Sequence, residues 1–333
     1  MWIREYRTED CPELGSLFYE TVHRVCDRDY SSQQLDAWAD GTVDLEKWNR
    51  EFLERCTLIA EINGEIAGFA DMDETGYLDR LYVSWRHQRK GVARALTQEL
   101  EWRTAAARFI TYASVTARPF FEKMGYRVIK ENTVIRKGVA LKNYRMEKEP
   151  FSVWKLPLGI TAENSPVLRT PRLLLRRFTA GDTEAFWNIM KDSEMNQFLP
   201  WFPAETLEAA QKQIQNQYFD YDAMPSAYRY AVCLRGNNMP IGYVGLSGDA
   251  RHDLGYGLKK EYWNQGIMTE AAGAVLERAR HAGYPFVTAT HDEKNLRSGA
   301  VLRKLSMRYY YSYGEQWKTK NIPVIFCLYR LDF

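Results

Sequence analysis

A strand, a glycine-bearing turn and a helix start occur twice in this chain at one internal spacing, and that repetition limits the fold more than any other feature. Residues 78–83 (Leu-Asp-Arg-Leu-Tyr-Val) form a short apolar run with the look of a strand. Gln88-Arg89-Lys90-Gly91-Val92-Ala93 is a basic turn, after which Val92, Ala95, Leu96 and Leu100 recur at the period of a helix. Further on, Leu254 to Leu258 has the same strand character, Asn264-Gln265-Gly266-Ile267-Met268 forms the turn, and a helical stretch follows. Val83 stands as far ahead of Gly91 as Leu258 stands ahead of Gly266. One such segment is weak evidence; two at matched spacing imply two copies of a domain.

The turn suits a phosphate. The first N–H groups of a helix have no partner inside it, and the helix dipole adds partial positive charge there. Glycine clears the approach for an anion, and Arg89, Lys90 and Arg94 add charge. A solvated basic helix start is the competing reading of the turn taken alone.

At 333 residues the chain exceeds what one core usually holds. The spacing predicts domains at 1–148 and 167–333. Between them, residues 149–166 carry weak periodicity and Pro150, Pro157, Gly159 and Pro166, and are expected to be a linker. Both halves run strand, helices, hairpin, strand, turn and helix, strand, helix, strands, a mixed α/β layer fold built twice. Asn63-Gly64 is a two-residue hairpin turn. Thr8 or Asp10 can cap a helix that has Pro12 in its first turn. Tyr126–Ile129 with Val139–Met146, and Met307–Tyr313 with Ile322–Tyr329, are the expected closing strands, and a helix is expected near 205–221.

A net charge of +2 gives no general drive toward nucleic acid or membrane. The five cysteines (Cys11, Cys26, Cys56, Cys233, Cys327) are far apart and form no CxxC, so free thiols in a reducing compartment are expected, with no metal site. No early run resembles a signal peptide, and no stretch approaches a membrane span. A soluble, cytoplasmic protein is expected, monomeric or homodimeric.

With those residues in view, both halves resemble GNAT-fold acetyltransferases, whose shared turn Gln/Arg-x-x-Gly-x-Gly/Ala wraps the pyrophosphate of acetyl-coenzyme A. Gln88, Gly91 and Ala93 match it in full, whereas Trp263, Gly266 and Met268 match only at the glycine. The C-terminal half is similar to the subgroup that acetylates N-terminal amines of ribosomal proteins, through Leu173-Leu174-Leu175-Arg176, Ile241-Gly242, Leu254-Gly255-Tyr256, Gln265-Gly266-Ile267-Met268 and Asn295-x-x-Ser298. The N-terminal half resembles small bacterial GNATs of poorly defined substrate, through Gly68-Phe69, Leu81-Tyr82-Val83, Ala113-Ser114 and the run Pro119 to Tyr126.

The resemblance implies a splayed sheet in each half. The pantetheine arm would pair with Leu81-Tyr82-Val83 and with Tyr256-Gly257-Leu258. The diphosphate would rest on Gln88 to Arg94 and on Asn264 to Thr269, and Asn295 would contact the coenzyme. The reaction implied is direct attack of an amine on the thioester. It needs a base for the amine and an acid for the thiolate. Ser298 matches a serine thought to serve the thiolate, and Asp253 sits where the subgroup often has a carboxylate; as plain structure, Asn295 is a helix cap and Ser298 a first-turn residue. The tyrosine slot common in GNATs is Phe121 in one half and Leu302 in the other, and neither can donate a proton. Asp79 falls one residue off the Asp253 register, so strand alternation puts it on the other face. His23, Tyr30 and Trp38 line an acceptor pocket or belong to the core, and His291 faces the second site or is a turn residue. Gly125-Tyr126 becomes Ser306-Met307 in the second half, which loses a glycine suited to a helix end. Trp201-Phe202-Pro203 is an aromatic cluster that holds an acceptor peptide or small molecule or packs against the other domain. The alternative to a tandem acetyltransferase is that one or both lobes bind coenzyme A or a partner without chemistry, or serve structure alone. The acceptor stays open between a protein N-terminus and several kinds of small amine.

Overall fold

In the N-terminal half the chain is steered by an arginine clamp. Strand β1 (Trp2–Glu5) carries Arg4, whose guanidinium grips both oxygens of Asp10 at 2.7 and 2.8 Å, while Asp10 also accepts from the Arg7 amide at 2.8 Å. Helix α1 (Cys11–Val25) follows with Pro12 in its first turn; Asp10 holds the N-cap position, but its carboxylate makes no cap bond to the helix. Helices α2 (Ser32–Trp38) and α3 (Leu45–Glu54) follow, capped by Ser31 and Asp44. The computed structural model describes residues 1–150, 165–219 and 228–333. Within the expected linker, 151–164 lie outside the described residues, as do the last two positions of the helix expected at 205–221. The chain divides into two units, Met1–Phe151 and Ser152–Phe333.

In the first unit, β2 (Cys56–Ile62) and β3 (Glu65–Met72) join through Asn63 and Gly64, both at positive φ, the turn geometry that follows the twist of a hairpin. Next come β4 (Tyr77–Val83), α4 (Val92–Thr104), β5 (Phe109–Ser114), α5 (Arg118–Lys123), β6 (Arg127–Arg136) and β7 (Val139–Lys148). The sheet order within this unit is β1-β2-β3-β4-β5-β7-β6. Only the β4–β5 pair is parallel. Strand β6 runs well past the expected Ile129. Beyond Ile129 it runs through the polar stretch Lys130 to Thr133 and then the adjacent pair Val134-Ile135, which gives no apolar alternation, yet the positive-φ turn Lys137-Gly138 pairs it with β7 to the end.

The second unit repeats the clamp. After β8 (Leu168–Arg169), strand β9 (Leu173–Arg176) presents Arg176, which grips Asp182 at 2.7 and 2.9 Å ahead of α6 (Thr183–Met190). Helix α7 (Leu207–Ile214) continues as a π-helical turn through Phe219. Then follow β10 (Tyr228–Leu234), β11 (Pro240–Leu246), β12 (Leu254–Leu258), α8 (Ile267–His281), β13 (Phe286–Asp292), α9 (Leu296–Lys304), β14 (Arg308–Trp317) and β15 (Ile322–Asp332). Strands β8 to β12 form one antiparallel ladder, and β13 pairs with β15, which pairs with β14. The turn after α9 forms without glycine, because Ser306 itself takes φ +61°.

Glycine matters most where β3 meets β4 and β11 meets β12. A Cβ on Gly68 would lie 2.8 Å from the Tyr82 carbonyl oxygen, and one on Gly242 would lie 2.4 Å from that of Gly257. Both strands press against the one that leads to a turn, which is why Gly68 and Gly242 recur in the two halves.

Candidate functional site

Each unit opens a V between two strands. In the first, β4 and β5 pair only at Tyr77–Ile110 and Leu78–Thr111, and part above that point. In the second, β12 and β13 meet only through a parallel bridge between Asp253 and Thr288. The first V holds a cleft of about 570 Å³ lined by Leu81, Tyr82 and Val83 on one side and Tyr112, Ala113 and Ser114 on the other. The second holds about 370 Å³, lined by Tyr256, Gly257 and Leu258 and by the first turns of α8 and α9.

At the head of each cleft is the turn, and the two turns are the same object. Arg89 and Gly91 take φ +60° and +83°; Asn264 and Gly266 take +59° and +73°. The first intrahelical bonds, Ala95 N–H to Gly91 O and Glu270 N–H to Gly266 O, are both 3.0 Å, so the donors ahead of them are the orphan N–H groups of a helix start. The Gln88 amide donates to the Val83 carbonyl at 2.6 Å, and the Trp263 indole donates to the Leu258 carbonyl at 2.7 Å. Trp263, expected as a mismatch, therefore makes the bond that Gln88 makes. The same bonds narrow the expected pantetheine edge. The Val83 carbonyl already accepts from Gln88 and from Thr21 Oγ1 at 3.2 Å, and the Leu258 carbonyl from Trp263.

Arg89, Gly91, Val92, Ala93 and Arg94 line the first cleft, and Asn264, Gly266, Ile267, Met268, Thr269 and Asn295 the second. Lys90 and Gln265 do not line them. Lys90 lies 3.3 Å from the His87 ring, and the Gln265 amide donates to the Glu261 carbonyl at 2.8 Å. The side chains of Ile267 and Met268 are buried in the core, so these two residues meet the cleft mainly through backbone. A cation missing from the sequence reading is Arg172. It donates to the Gln265 carbonyl at 2.9 Å and to Glu270 at 2.6 Å, and its Nη2 would lie 3.5 Å from a Cβ on Gly266. The cradle thus has bare amides, a left-handed glycine and an adjacent guanidinium, a donor set that fits a diphosphate.

The chemistry-bearing side chains differ between the units. Ser298 lines the second cleft, and its Oγ lies 2.8 Å from the Tyr256 hydroxyl, which also reaches the Ser298 carbonyl at 3.1 Å. Burial raises the Tyr256 pKa against the pull of that bond, so the phenol keeps its proton at neutral pH. Asn295 caps α9 by accepting from Ser298 N–H at 3.1 Å while also lining the cleft. In the first unit Ser114 accepts from Ala117 N–H at 3.1 Å in the same way. The counterpart of Ser298 is therefore Ala117, and that of Tyr256, counted back from the turn, is Leu81; neither carries a hydroxyl. Phe121 lines the first cleft, stacked edge-on against Phe120 and Tyr126. The Tyr126 hydroxyl donates to Glu101 at 2.9 Å and serves the core.

Asp253 is not among the residues lining the second cleft. It sits at the closed end of the V, where its carboxylate accepts from Thr288 Oγ1 at 3.1 Å. Burial pushes its pKa up to about 6, with the Thr288 bond acting the other way. Asp79 does line the first cleft, but it is committed to Arg55 at 2.7 Å and to the Tyr77 hydroxyl at 3.1 Å. Of the three acceptor-pocket residues expected in that unit, Trp38 lines the cleft. His23 bonds the Ala39 carbonyl at 2.8 Å, and the Tyr30 hydroxyl donates to the Lys142 carbonyl at 2.7 Å while accepting from Val115 N–H; both pin backbone instead. His291 packs under Gly299, where a Cβ would lie 2.8 Å from its Nε2, and its Nδ1 bonds the Asp292 carbonyl oxygen. Trp201 packs on the α6–α7 core, whereas Phe202 is 62% exposed.

Residues 26–148 match a family model described as an acetyltransferase (GNAT) domain, and residues 172–308 match another of the same description. A curated relative, the uncharacterized N-acetyltransferase YafP of Escherichia coli K12, is 32% identical over 148 residues, spanning 44% of this chain and 95% of that protein. The uncharacterized N-acetyltransferase YnaD of Bacillus subtilis is 28% identical over 147 residues, spanning 42% and 82%. A solved GCN5-related N-acetyltransferase from Rhodopseudomonas palustris is 31% identical, covering 44% of this chain and 94% of its own, with a TM-score of 0.43. No helix among the described residues is long and apolar enough to cross a membrane.

Proposed function

Taking as premise that the chain belongs to the GNAT acetyltransferase family and is an acetyl-CoA-dependent N-acetyltransferase, we propose that both lobes bind the coenzyme and that the C-terminal lobe transfers acetyl to a primary amine. The observation that carries the binding half is the pair of turns, alike in φ and in the donor that braces them, each at the mouth of a splayed strand pair. When bound, acetyl-coenzyme A supplies the activated acetyl group.

The residues of the C-terminal lobe divide the remaining work. Backbone N–H groups from Gly266 to Thr269 hold the diphosphate, with Arg172 beside them. The open edge of β12 aligns the arm. Ser298 gives a proton to the departing sulfur, and the Tyr256 hydroxyl, 2.8 Å away, supports the serine oxygen as it does so. Asp253 takes the proton of the attacking amine through water, from the closed end of the V. The N-terminal lobe has the cradle without that hydroxyl pair, and coenzyme binding without turnover is the second reading the structure supports for it.

Calorimetry of the full chain with coenzyme A tests the binding half. Two sites are expected in the unaltered protein and one in either Gly91→Glu or Gly266→Glu, since each substitution places bulk and negative charge in a cradle and weakens its site at least about 100-fold, by about 3 kcal/mol. Unchanged stoichiometry in either variant removes that lobe from the proposal.

A further inference from the structure

We propose that Glu194 is the acceptor-facing carboxylate of the C-terminal lobe, held in an ionic latch that the coenzyme opens. The inference rests on coenzyme binding at the Gly266 cradle. Among the described residues lining that cleft, Glu194 is the one acid. It stands just before the 3₁₀ turn Met195–Phe198, on a wall that neither the turn nor α9 contributes. Its carboxylate pairs with Lys260, which follows β12, and approaches Arg297 of α9 at 3.7 Å. Arg297 in turn lies over the Trp263 ring, 4.7 Å from its centroid, beside the residue that braces the phosphate turn. Three walls of the cleft are thus tied by one anion between two cations.

The backbone under Glu194 is fixed. Its N–H donates to Asp192 at 2.8 Å, the buried Asn196 side chain donates to the Met190 and Asp192 carbonyls at 2.8 Å, and Lys320 donates to the Asn196 carbonyl at 3.0 Å. Only the side chains of the latch are loose: Glu194 is 39% exposed, Lys260 58% and Arg297 64%. Ion pairs so exposed contribute little. A diphosphate carries two charges to a carboxylate's one and offers Arg297 paired hydrogen bonds. Coenzyme seated on the turn therefore draws the two cations away from Glu194. The freed carboxylate then faces the cleft and favours a cationic amine. Coenzyme binds first, the amine second, and the acceptor class is an alkylammonium rather than a neutral arylamine.

The test uses the full chain in a Gly91→Glu background, so that calorimetry with coenzyme A reports the C-terminal site alone. Glu194→Gln is expected to tighten coenzyme binding three- to tenfold at low salt, with the gap closing at about 1 M salt as charges are screened. Unchanged or weaker binding in Glu194→Gln overturns the latch. No coenzyme heat in the Gly91→Glu background refutes the cradle itself, and the latch with it. In protein saturated with coenzyme A, saturation-transfer NMR with n-butylamine at neutral pH is expected to show contact that Glu194→Gln removes. Equal signals, or none in either protein, overturn the acceptor role.

Discussion

The two lobes agree where backbone does the work and part where side chains do. Arg89 and Asn264 adopt the same left-handed φ, as do Gly91 and Gly266, and an amide in one and an indole in the other donate to the same carbonyl five residues back. A binding site made of N–H groups tolerates many side chains, provided the turn is braced. The hydroxyl pair beside the cleft is not repeated. Tyr256 and Ser298 in one lobe stand where the other has Leu81 and Ala117. Both members of a hydrogen-bonded pair differ together, so the lobes share a turn whose donors fit a diphosphate and differ in the hydroxyls beside it.

The sharpest way to break this contrast is to remove the pair from the C-terminal lobe. Ser298→Ala is expected to lower kcat by about 10²-fold, the usual worth of a positioned proton donor, while leaving coenzyme affinity by calorimetry within about twofold. Tyr256→Phe keeps the ring and loses the hydroxyl, so it should cost less. The double variant should match Ser298→Ala, because the phenol acts through the serine. A double variant that turns over at the parental rate would take the chemistry away from this hydroxyl pair and overturn the assignment.

A smaller effect concerns Asp253, which has no acidic counterpart in the first lobe, where Leu78 occupies that register. With its pKa raised to about 6 by burial, the carboxylate accepts a proton from the amine only above that pH. The expected kcat/KM therefore rises about fivefold from pH 5 to pH 6 and levels off by about pH 7. Asp253→Asn should flatten that limb and lower the plateau. A limb near pH 6 that persists in Asp253→Asn would assign the titration to another group.

Much of this was legible in the residues. The spacing from Val83 to Gly91 and from Leu258 to Gly266 placed both glycine turns ahead of their helices, and Asn63-Gly64 placed a hairpin, because these depend on local backbone rules. What stayed hidden was long-range or chemical. Tyr256 meets Ser298 across 42 positions and Arg172 meets Gln265 across 93, distances over which no periodicity carries information. His23 lies on α1 and Tyr30 in the loop ahead of α2, and their polar atoms are spent on backbone carbonyls, Tyr30 also accepting from the Val115 N–H. One signal was available and unused: an arginine six residues ahead of an aspartate, Arg4 and Asp10, then Arg176 and Asp182, opens both halves.

The subtlest comparison is between Gln88 and Trp263. If each matters only as an N–H donor to the strand that precedes the turn, removing the donor should cost the same in both lobes. Trp263→Phe keeps an aromatic ring under Arg297 and deletes the N–H; Gln88→Leu deletes the amide in the first lobe. One neutral hydrogen bond is worth about 1 kcal/mol net, so each variant should weaken coenzyme binding at its own site about fivefold and leave the other site untouched. Trp263→Gln restores a donor to the Leu258 carbonyl and should recover most of that loss. A Trp263→Phe protein that binds as tightly as the parent would mean that the indole braces the turn by packing rather than by its proton. The two turns would then share a shape without sharing a bond that sets it.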